Sequence, residues 1–419
     1  MAAPSPTSRL ARKLTTRDAV IVGLGSMIGA GVFSAIGPAA RVAGNMVVVA
    51  LLIAGALAYC NATSSAELAA LYPESGGAYV YGRRRLGDVW GFLAGWGFVV
   101  GKLASCAAMA LTFARYAAPP IARPLAIAAV VSLTVVNYFG IRKTVGLTKI
   151  IVGLVLIALA ACLLATLAGG SLRLDRLWPL DTAAPRNVLQ AAGLLFFAFA
   201  GYARIATLGE EVIDPARTIP RAIPVALGVT LLVYAAVLVS ALAAAGSAAL
   251  AAAPAPLAVA IRAGRFAPLS IVVRIGAAVA SLGVLLSLIV GVSRTMFAMA
   301  AARDLPAALA AVHPRYQVPH RAEVLVGAGV VLLVALLDVG DAIGFSSFTV
   351  LSYYAVANAS ALTLSPRERR WPRPVAAAGL AGCVLVAASL PARTVLSGLG
   401  VLSLGLLTFG IARAFRRRT

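Results

Sequence analysis

Runs of about twenty apolar residues, long enough to span the hydrocarbon core of a bilayer as helices, recur along nearly all of this 419-residue chain, which is 61% hydrophobic and only 12% charged. A soluble domain carries about 25% charged residues, and a soluble chain this long divides into separate cores. In lipid every backbone N–H and C=O needs an internal partner, so apolar runs of this kind fold as membrane-spanning helices. The spacing predicts about twelve spans, near 19–42, 46–71, 90–114, 121–140, 146–168, 188–210, 223–245, 268–300, 322–338, 342–364, 374–390 and 394–412. The expected class is an all-α polytopic membrane protein, a single membrane domain over 1–419. The longest stretches between spans, 169–186, 246–267 and 303–321, lack the length and apolar content to fold alone.

A net charge of +22 invites a nucleic-acid reading, but the placement of the charges explains them better. Basic residues concentrate in alternate loops. One set holds Arg9, Arg12, Lys13, Arg17, Arg83 to Arg85, Arg142, Lys143, Lys149, Arg217, Arg221, Arg303, Arg315, Arg321, Arg367, Arg369, Arg370, Arg373, Arg413 and Arg416 to Arg418. The other holds Arg41, Arg115, Arg123, Arg173, Arg176, Arg186, Arg262, Arg265 and Arg393, a ratio of roughly 2.5 to 1. The positive-inside rule then places both termini in the cytoplasm, and the basic loops suit anionic lipid. The first span is too long for a signal-peptide core and lacks a small-residue cleavage site, so it is expected to stay as an anchor. Cys60, Cys106, Cys162 and Cys383 lie scattered in apolar runs and read as small buried residues. His313 and His320 share a loop without a nearby Cys or carboxylate cluster, so neither a metal nor another cofactor is expected.

Within the first span, Gly25-Ser26-Met27-Ile28-Gly29-Ala30-Gly31 places three glycines in seven residues. Each lowers helix stability by roughly 1 kcal/mol, and backbone groups freed in lipid must meet protein, water or a ligand. A second weak point is Phe196-Phe197-Ala198-Phe199-Ala200-Gly201-Tyr202 in the sixth span. Interrupted helices at matching places in two halves point to a binding site at mid-membrane; the plainer reading is close helix packing by small residues. With spans one and six both interrupted and four spans after each, a five-plus-five repeat emerges, 19–168 and 188–364, with 374–412 as two peripheral helices. Because five is odd, the second half inserts inverted.

Four motifs, in order over spans one to eight, resemble those of the amino acid–polyamine–organocation permeases. They are Gly25 to Phe33; Ala66-Glu67-Leu68 with Tyr72-Pro73-Glu74-Ser75-Gly76-Gly77-Ala78-Tyr79-Val80-Tyr81; Gly209-Glu210-Glu211-Val212 with Asp214-Pro215-Ala216-Arg217 and Ile219-Pro220; and Arg294 with Phe297-Ala298-Met299-Ala300, closing at Arg303-Asp304-Leu305-Pro306. In the last, Ala301 and Ala302 intervene and the glycine that relatives carry after the aspartate is missing. The resemblance implies an amino acid substrate. Its carboxylate would meet the N–H groups of Gly29, Ala30 and Gly31, at the positive end of the following half-helix. The carbonyls of Met27, Phe197 and Ala200 would take its ammonium. Phe199 and Tyr202 resemble the family's aromatic gate, or are ordinary core packing.

The sequence departs from the family in ways that bear on coupling. Proton-coupled relatives carry a lysine midway along span five, where Val155 stands here. Lys102 instead lies near mid-membrane in the third span, where a charge costs from about 2.5 kcal/mol upward and usually serves function. It either replaces the missing lysine, titrating or acting as a fixed cation, or pairs with a carbonyl or snorkels. Arg204 follows the second break and would meet either a substrate carboxylate or Glu210 or Glu211. Arg274, near the outer end of span eight, reads as snorkelling. Glu67, Glu210, Glu211, Asp214 and Arg217 cluster at helix ends and read equally as a gate of ion pairs or as fixed topology-setting charges. Neither break carries a carboxylate, which favours a neutral amino acid.

These features imply a secondary amino acid permease of a bacterial cell membrane, working by alternating access with protons as the coupling ion. An exchanger of cationic amino acids or polyamines, or a transport-deficient sensor, would use the same breaks. A membrane-embedded enzyme would need a nucleophile, metal or carboxylate set at depth, and none is present.

Overall fold

A computed structural model describes residues 14–72, 76–140, 145–178, 183–206 and 212–416. The apolar runs all become helices, because only a helix satisfies its own backbone within one segment. The first span is split into α1 (Thr16–Met27) and α2 (Ala30–Ala43), followed by α3 (Val47–Leu71), the short α4 (Ala78–Arg85), α5 (Asp88–Ala117), α6 (Ala122–Tyr138) and α7 (Val145–Ala168). Then come α8 (Pro185–Phe199), α9 (Ala203–Ala206), α10 (Pro215–Ala245), the short α11 (Ser247–Ala252) and α12 (Pro256–Arg262), and α13 (Ser270–Ala301). The chain closes with α14 (His320–Leu336), α15 (Val339–Leu362), α16 (Arg373–Ser389) and α17 (Ala392–Arg416).

Among the described residues, eight helical stretches are long and apolar enough to cross a bilayer, the first being a continuous 42-residue run from Ala30 to Leu71. At 1.5 Å per residue that run is about 63 Å long, twice the hydrocarbon thickness of about 30 Å. It reverses at Gly44, whose φ of 55° lies where a side chain is disfavoured. Loop contacts group helix ends into two faces. On the face that holds the N-terminus, the Ile213 N–H donates to the Leu14 carbonyl at 2.9 Å, and Arg413 pairs with Asp88 at 3.8 Å. On the distal face the Arg123 guanidinium donates to the Leu337 carbonyl at 3.3 Å, and the Arg173 N–H to the Ala243 carbonyl at 3.0 Å. Each of the twelve predicted spans falls on described helices. They are α1–α2, α3, α5, α6, α7, α8–α9, α10, α13, α14, α15, α16 and α17.

The packing repeats itself between halves. α2 lies on α8, α3 on α10, α5 on α13 and α6 on α14; α7 packs against α13 as α15 packs against α5, and α1 against α10 as α8 against α3. Each contact survives exchange of the first five crossings for the next five. The short helices follow the same exchange with the faces reversed, α4 on the N-terminal face and α11–α12 on the distal face. α17 borders α5 and α15, while α16 packs against α3, α8 and α15. There α16 contributes Cys383 to a buried polar cluster: the Asn358 amide donates to Asn61 Oδ1 at 2.6 Å, Ser64 to Asn358 Oδ1 at 2.7 Å, and the Cys383 thiol to Asn61 Oδ1 at 3.3 Å. Such cross-bonding is how polar side chains in lipid find partners, although Asn61 Nδ2 has none among the described residues. Arg274 donates to the carbonyls of Tyr116 and Ala117 at 2.8 and 3.0 Å, capping the negative end of α5.

Candidate functional site

The first break falls where the glycines predict it. α1 ends at Met27; Ile28 (φ −74°, ψ 68°) and Gly29 (φ −133°, ψ −142°) are non-helical, and Ala30 opens α2. Ala30 and Gly31 occupy the first turn, whose N–H groups have no intrahelical acceptor and carry the positive end of the helix dipole. Gly29 differs from its expected role: its N–H points back to the Met27 carbonyl at 2.7 Å. One of the three anticipated carboxylate donors is therefore held within the turn.

The second break is milder than the sequence reading. α8 passes through a single 3-10 turn, Ala200–Tyr202, into α9, so the segment changes helix type without unwinding. The Phe197 carbonyl accepts the Ala200 N–H in this turn. A 3-10 turn leaves fewer free groups than a gap, because i→i+3 bonds replace those lost. Both expected gate aromatics are fully buried, on different neighbours. Phe199 lies 5.2 Å from the ring of Tyr234 on α10, and Tyr202 stacks at 5.2 Å on Tyr354 of α15.

Two glycines bring the breaks together. A Cβ on Gly31 would sit 2.7 Å from the Cα of Ala198, and one on Gly201 would overlap the peptide joining Ser26 and Met27. Small-residue packing and helix interruption are thus both present, in the same few residues. Tyr234, which sequence reasoning missed, joins the breaks from α10: its hydroxyl lies against the Met27 carbonyl and 3.1 Å from that of Ala198. The Met27 acceptor assigned to a substrate ammonium is therefore occupied by this hydroxyl. The available hint was a tyrosine within the apolar run Leu231-Leu232-Val233-Tyr234-Ala235, since a buried phenol needs a partner.

Lys102 lies on α5 with its ammonium 5.8 Å from the Phe98 ring centre, within cation–π range. Phe98 in turn meets Tyr353 of α15 at 5.6 Å. Among the described residues no carboxylate forms an ion pair with Lys102. Val155 is buried on α7, which packs against α1 and α13, so that position is apolar.

Of the charges expected at the gate, Glu67 and Arg217 lie among the described residues. Glu67 is buried and makes no ion pair among the described residues; one carboxylate oxygen accepts the N–H groups of Arg370 and Trp371, each at 2.5 Å. That ties α3 to the loop before α16. Arg217 is exposed and pairs locally with Asp214 at 3.5 Å. Glu210 and Glu211 lie outside the described residues. Arg204 is exposed on α9.

The N-terminal face also carries α4, whose basic end the sequence displays without showing its partners. Arg83 Nη1 donates to the Tyr79 hydroxyl at 2.6 Å, that hydroxyl to Asp304 Oδ2 at 2.8 Å, and Arg83 Nη2 to Asp304 Oδ1 at 3.2 Å. The Asp304 side chain is fully buried. Burial, and then the neighbouring Asp304 carboxylate, raise the Tyr79 phenol above its ordinary pKa, so it stays a donor. Arg303 adopts φ 61° and ends α13 in the left-handed conformation that glycine usually takes, and the Asp304 N–H returns to Met299 at 2.8 Å. Alongside, Arg85 pairs with Glu368 at 2.6 Å. That guanidinium, followed by the Ser365 amide and hydroxyl, holds the Glu368 carboxyl down to about 2.

A family model for amino acid permeases matches residues 18–390. Over 409 residues the chain is 58% identical to an uncharacterised transporter of Mycobacterium tuberculosis, covering 98% of this chain and 93% of that protein. It is 24% identical over 397 residues to the branched-chain amino acid permease BcaP of Bacillus subtilis, covering 89% of this chain and 85% of that one. Against cationic amino acid transporter 4 of Mus musculus it is 28% identical over 384 residues, which cover 84% of this chain and 60% of the mouse protein. The resemblance carried by the four motifs thus extends along most of the crossings, and the chain belongs to the amino acid permease family of the amino acid–polyamine–organocation superfamily.

Proposed function

We propose that this permease is a secondary active transporter that takes up a neutral amino acid with protons, by alternating access in a bacterial cell membrane. The observation that carries the reading is the opening of α2 at Gly29–Ala30 inside the bundle, pressed against the 3-10 turn of α8–α9. Helix N-terminal N–H groups favour a carboxylate, and carbonyls of interrupted segments favour a cation, which together suit a zwitterion. Neither break carries an acidic residue in its own sequence, 24–34 or 196–206. A cationic side chain would lack a counter-charge there, so neutral substrates are favoured over the cationic ones in the name of the mouse relative. Ala30, Gly31 and Ala200 are the substrate contacts, joined by Met27, Gly29 and Phe197 once their internal bonds are released. Phe199 and Tyr202 close over the site, and Lys102 couples substrate movement to protons.

Halves 19–168 and 188–364 act as inverted repeats, consistent with packing that survives their exchange. The N-terminal face is cytoplasmic, as its excess of basic residues requires. Opening toward that side breaks the Arg83–Asp304 and Arg85–Glu368 contacts and draws on Glu67, Glu210, Glu211 and Arg217 at the same helix ends. The test is radiolabelled amino acid uptake into proteoliposomes, with and without an inward proton gradient, over a mixed panel of substrates. Gradient-driven accumulation of a neutral amino acid is the expected result. Flux only into preloaded vesicles would make the protein an exchanger, and absence of saturable flux for every substrate would overturn the reading.

A further inference from the structure

On the distal face, a cavity of ≈ 60 Å³ lies between α2, α5, the loop joining α11 to α12, and the start of α15. A water needs about 10–15 Å³, so there is room for about four to six, comparable to an amino acid's carboxylate and ammonium. The cavity wall carries two arginines and one aspartate, Arg41, Arg115 and Asp338. Arg41 is committed to the protein, donating through Nε and Nη2 to the Ala251 carbonyl at 3.3 and 2.7 Å. Arg115 is not. Half-buried on α5, it makes no hydrogen bond or ion pair among the described residues, although Asp338 lies within electrostatic reach. Asp338 uses Oδ1 to cap α15 through the Asp341 N–H at 2.7 Å; its other oxygen carries no bond among the described residues. The inner end is formed by Phe33 and Tyr116, edge to face at 5.8 Å, with the Tyr116 hydroxyl donating to the Phe33 carbonyl at 3.1 Å. Phe33 is two residues past Gly31, so this floor separates the cavity from the break by half a turn of helix.

We propose that this cavity is a capture site for the α-amino acid headgroup, outside and distinct from the site at the breaks. The Arg115 guanidinium takes the substrate carboxylate and Asp338 Oδ2 faces its ammonium. A planar guanidinium binds a carboxylate through two parallel N–H bonds, and the surplus positive charge draws the carboxylate end in first. The proposal rests on the amino acid transport reading for the identity of the ligand. The Phe33–Tyr116 pair must part for the headgroup to advance along α2 to the free N–H groups at its start.

The test pairs transport with a readout that needs none. Ala253, on the rim, is replaced (Ala253→Cys) and the introduced thiol labelled in the full-length protein with anionic and cationic methanethiosulfonates. The anionic reagent is expected to react several-fold faster, and millimolar transported amino acid to slow it. Arg115→Gln is expected to abolish both effects and to raise the KM for uptake roughly 10- to 100-fold with Vmax little changed, the range for a lost charge-assisted pair. Arg115→Lys keeps the charge without the fork, so it should keep the reagent preference and recover part of the KM; it also covers the case in which Arg115→Gln does not fold. Equal labelling by the two reagents, protection by phosphate but not by amino acids, or an unchanged KM in Arg115→Gln would overturn the capture site and leave the transport reading standing. Absence of flux with Arg115-dependent protection intact would do the reverse.

Discussion

Gly31→Ala tests whether the two breaks form one unit. The added Cβ meets the Cα and Cβ of Ala198 at 2.7 and 2.9 Å, against an ordinary carbon–carbon separation of about 3.5–4.0 Å. The obstruction is largely backbone, which cannot rotate away as a side-chain end can. α2 and α8 must therefore separate by about 1 Å, at a cost typical of overpacking, ~1–3 kcal/mol. Alanine's helix propensity returns at most ~1 kcal/mol, leaving a net loss of up to ~2 kcal/mol. Because the displaced turn carries the free N–H groups, saturable uptake should fall at least tenfold, equivalent to ~1.4 kcal/mol. Gly228→Ala on α10 is the control: its Cβ would meet nothing within 4 Å, so stability should rise by ~0.5–1 kcal/mol with uptake unchanged. Thermal unfolding of the solubilised protein and uptake into proteoliposomes read both variants. Indistinguishable melting and transport for the pair would refute the close contact between the breaks.

Tyr234→Phe removes the hydroxyl that reaches the Met27 and Ala198 carbonyls; since the Met27 carbonyl keeps the Gly29 N–H, a loss of ~0.5–1.5 kcal/mol should lower the melting temperature, and unchanged melting would show that the hydroxyl does not hold the breaks together. Arg83→Gln strips a charge-assisted bond worth ~1.5–3 kcal/mol from buried Asp304, so amide exchange in 78–85 and 303–310 should quicken by tenfold or more without slowing elsewhere. Glu368, held at about 2 against an ordinary value of about 4.3, binds its proton more weakly folded than unfolded. Its stabilising contribution is therefore complete above about pH 5 and is lost as pH falls toward about 2; the stability gap between the protein and Glu368→Gln should be present at pH 7 and shrink steadily below pH 4. Lys102→Ala should flatten the pH dependence of uptake, and a variant that keeps the full profile would remove Lys102 from coupling.

The break in the first span was legible because its cause is local. Three glycines within seven residues weaken any helix, and the chain opens at Ile28 and Gly29 among them. The second break was legible in position but not in form. Phe196 to Tyr202 contains one glycine, Gly201, and there the backbone tightens into a 3-10 turn. The gate shows the limit clearly. Glu67 and Arg217 stand at helix ends as charged residues do, yet Glu67 binds two amides more than 300 positions away in the chain, and Arg217 pairs with its neighbour Asp214. Ion pairs that link distant elements join Arg83 to Asp304 and Arg85 to Glu368, pairs separated by more than 200 residues.

By itself the sequence determined that the chain crosses a membrane as helices, which face holds the excess of basic residues, and where the first helix opens. These follow from the transfer of each segment into lipid and from the stability of its own backbone, quantities set within about twenty residues. Tertiary structure alone decided which N–H and carbonyl groups at the breaks are free and which are taken. It also seated Tyr234 between the breaks, joined α4 to Asp304 and Glu368, and left Arg115 without a partner among the described residues in a cavity. Those outcomes depend on which helix faces meet. Lipid makes all apolar faces nearly equivalent, so the choice falls to shape: Gly31 admits Ala198, Gly201 admits the Ser26–Met27 peptide, and no single segment carries both halves of either contact.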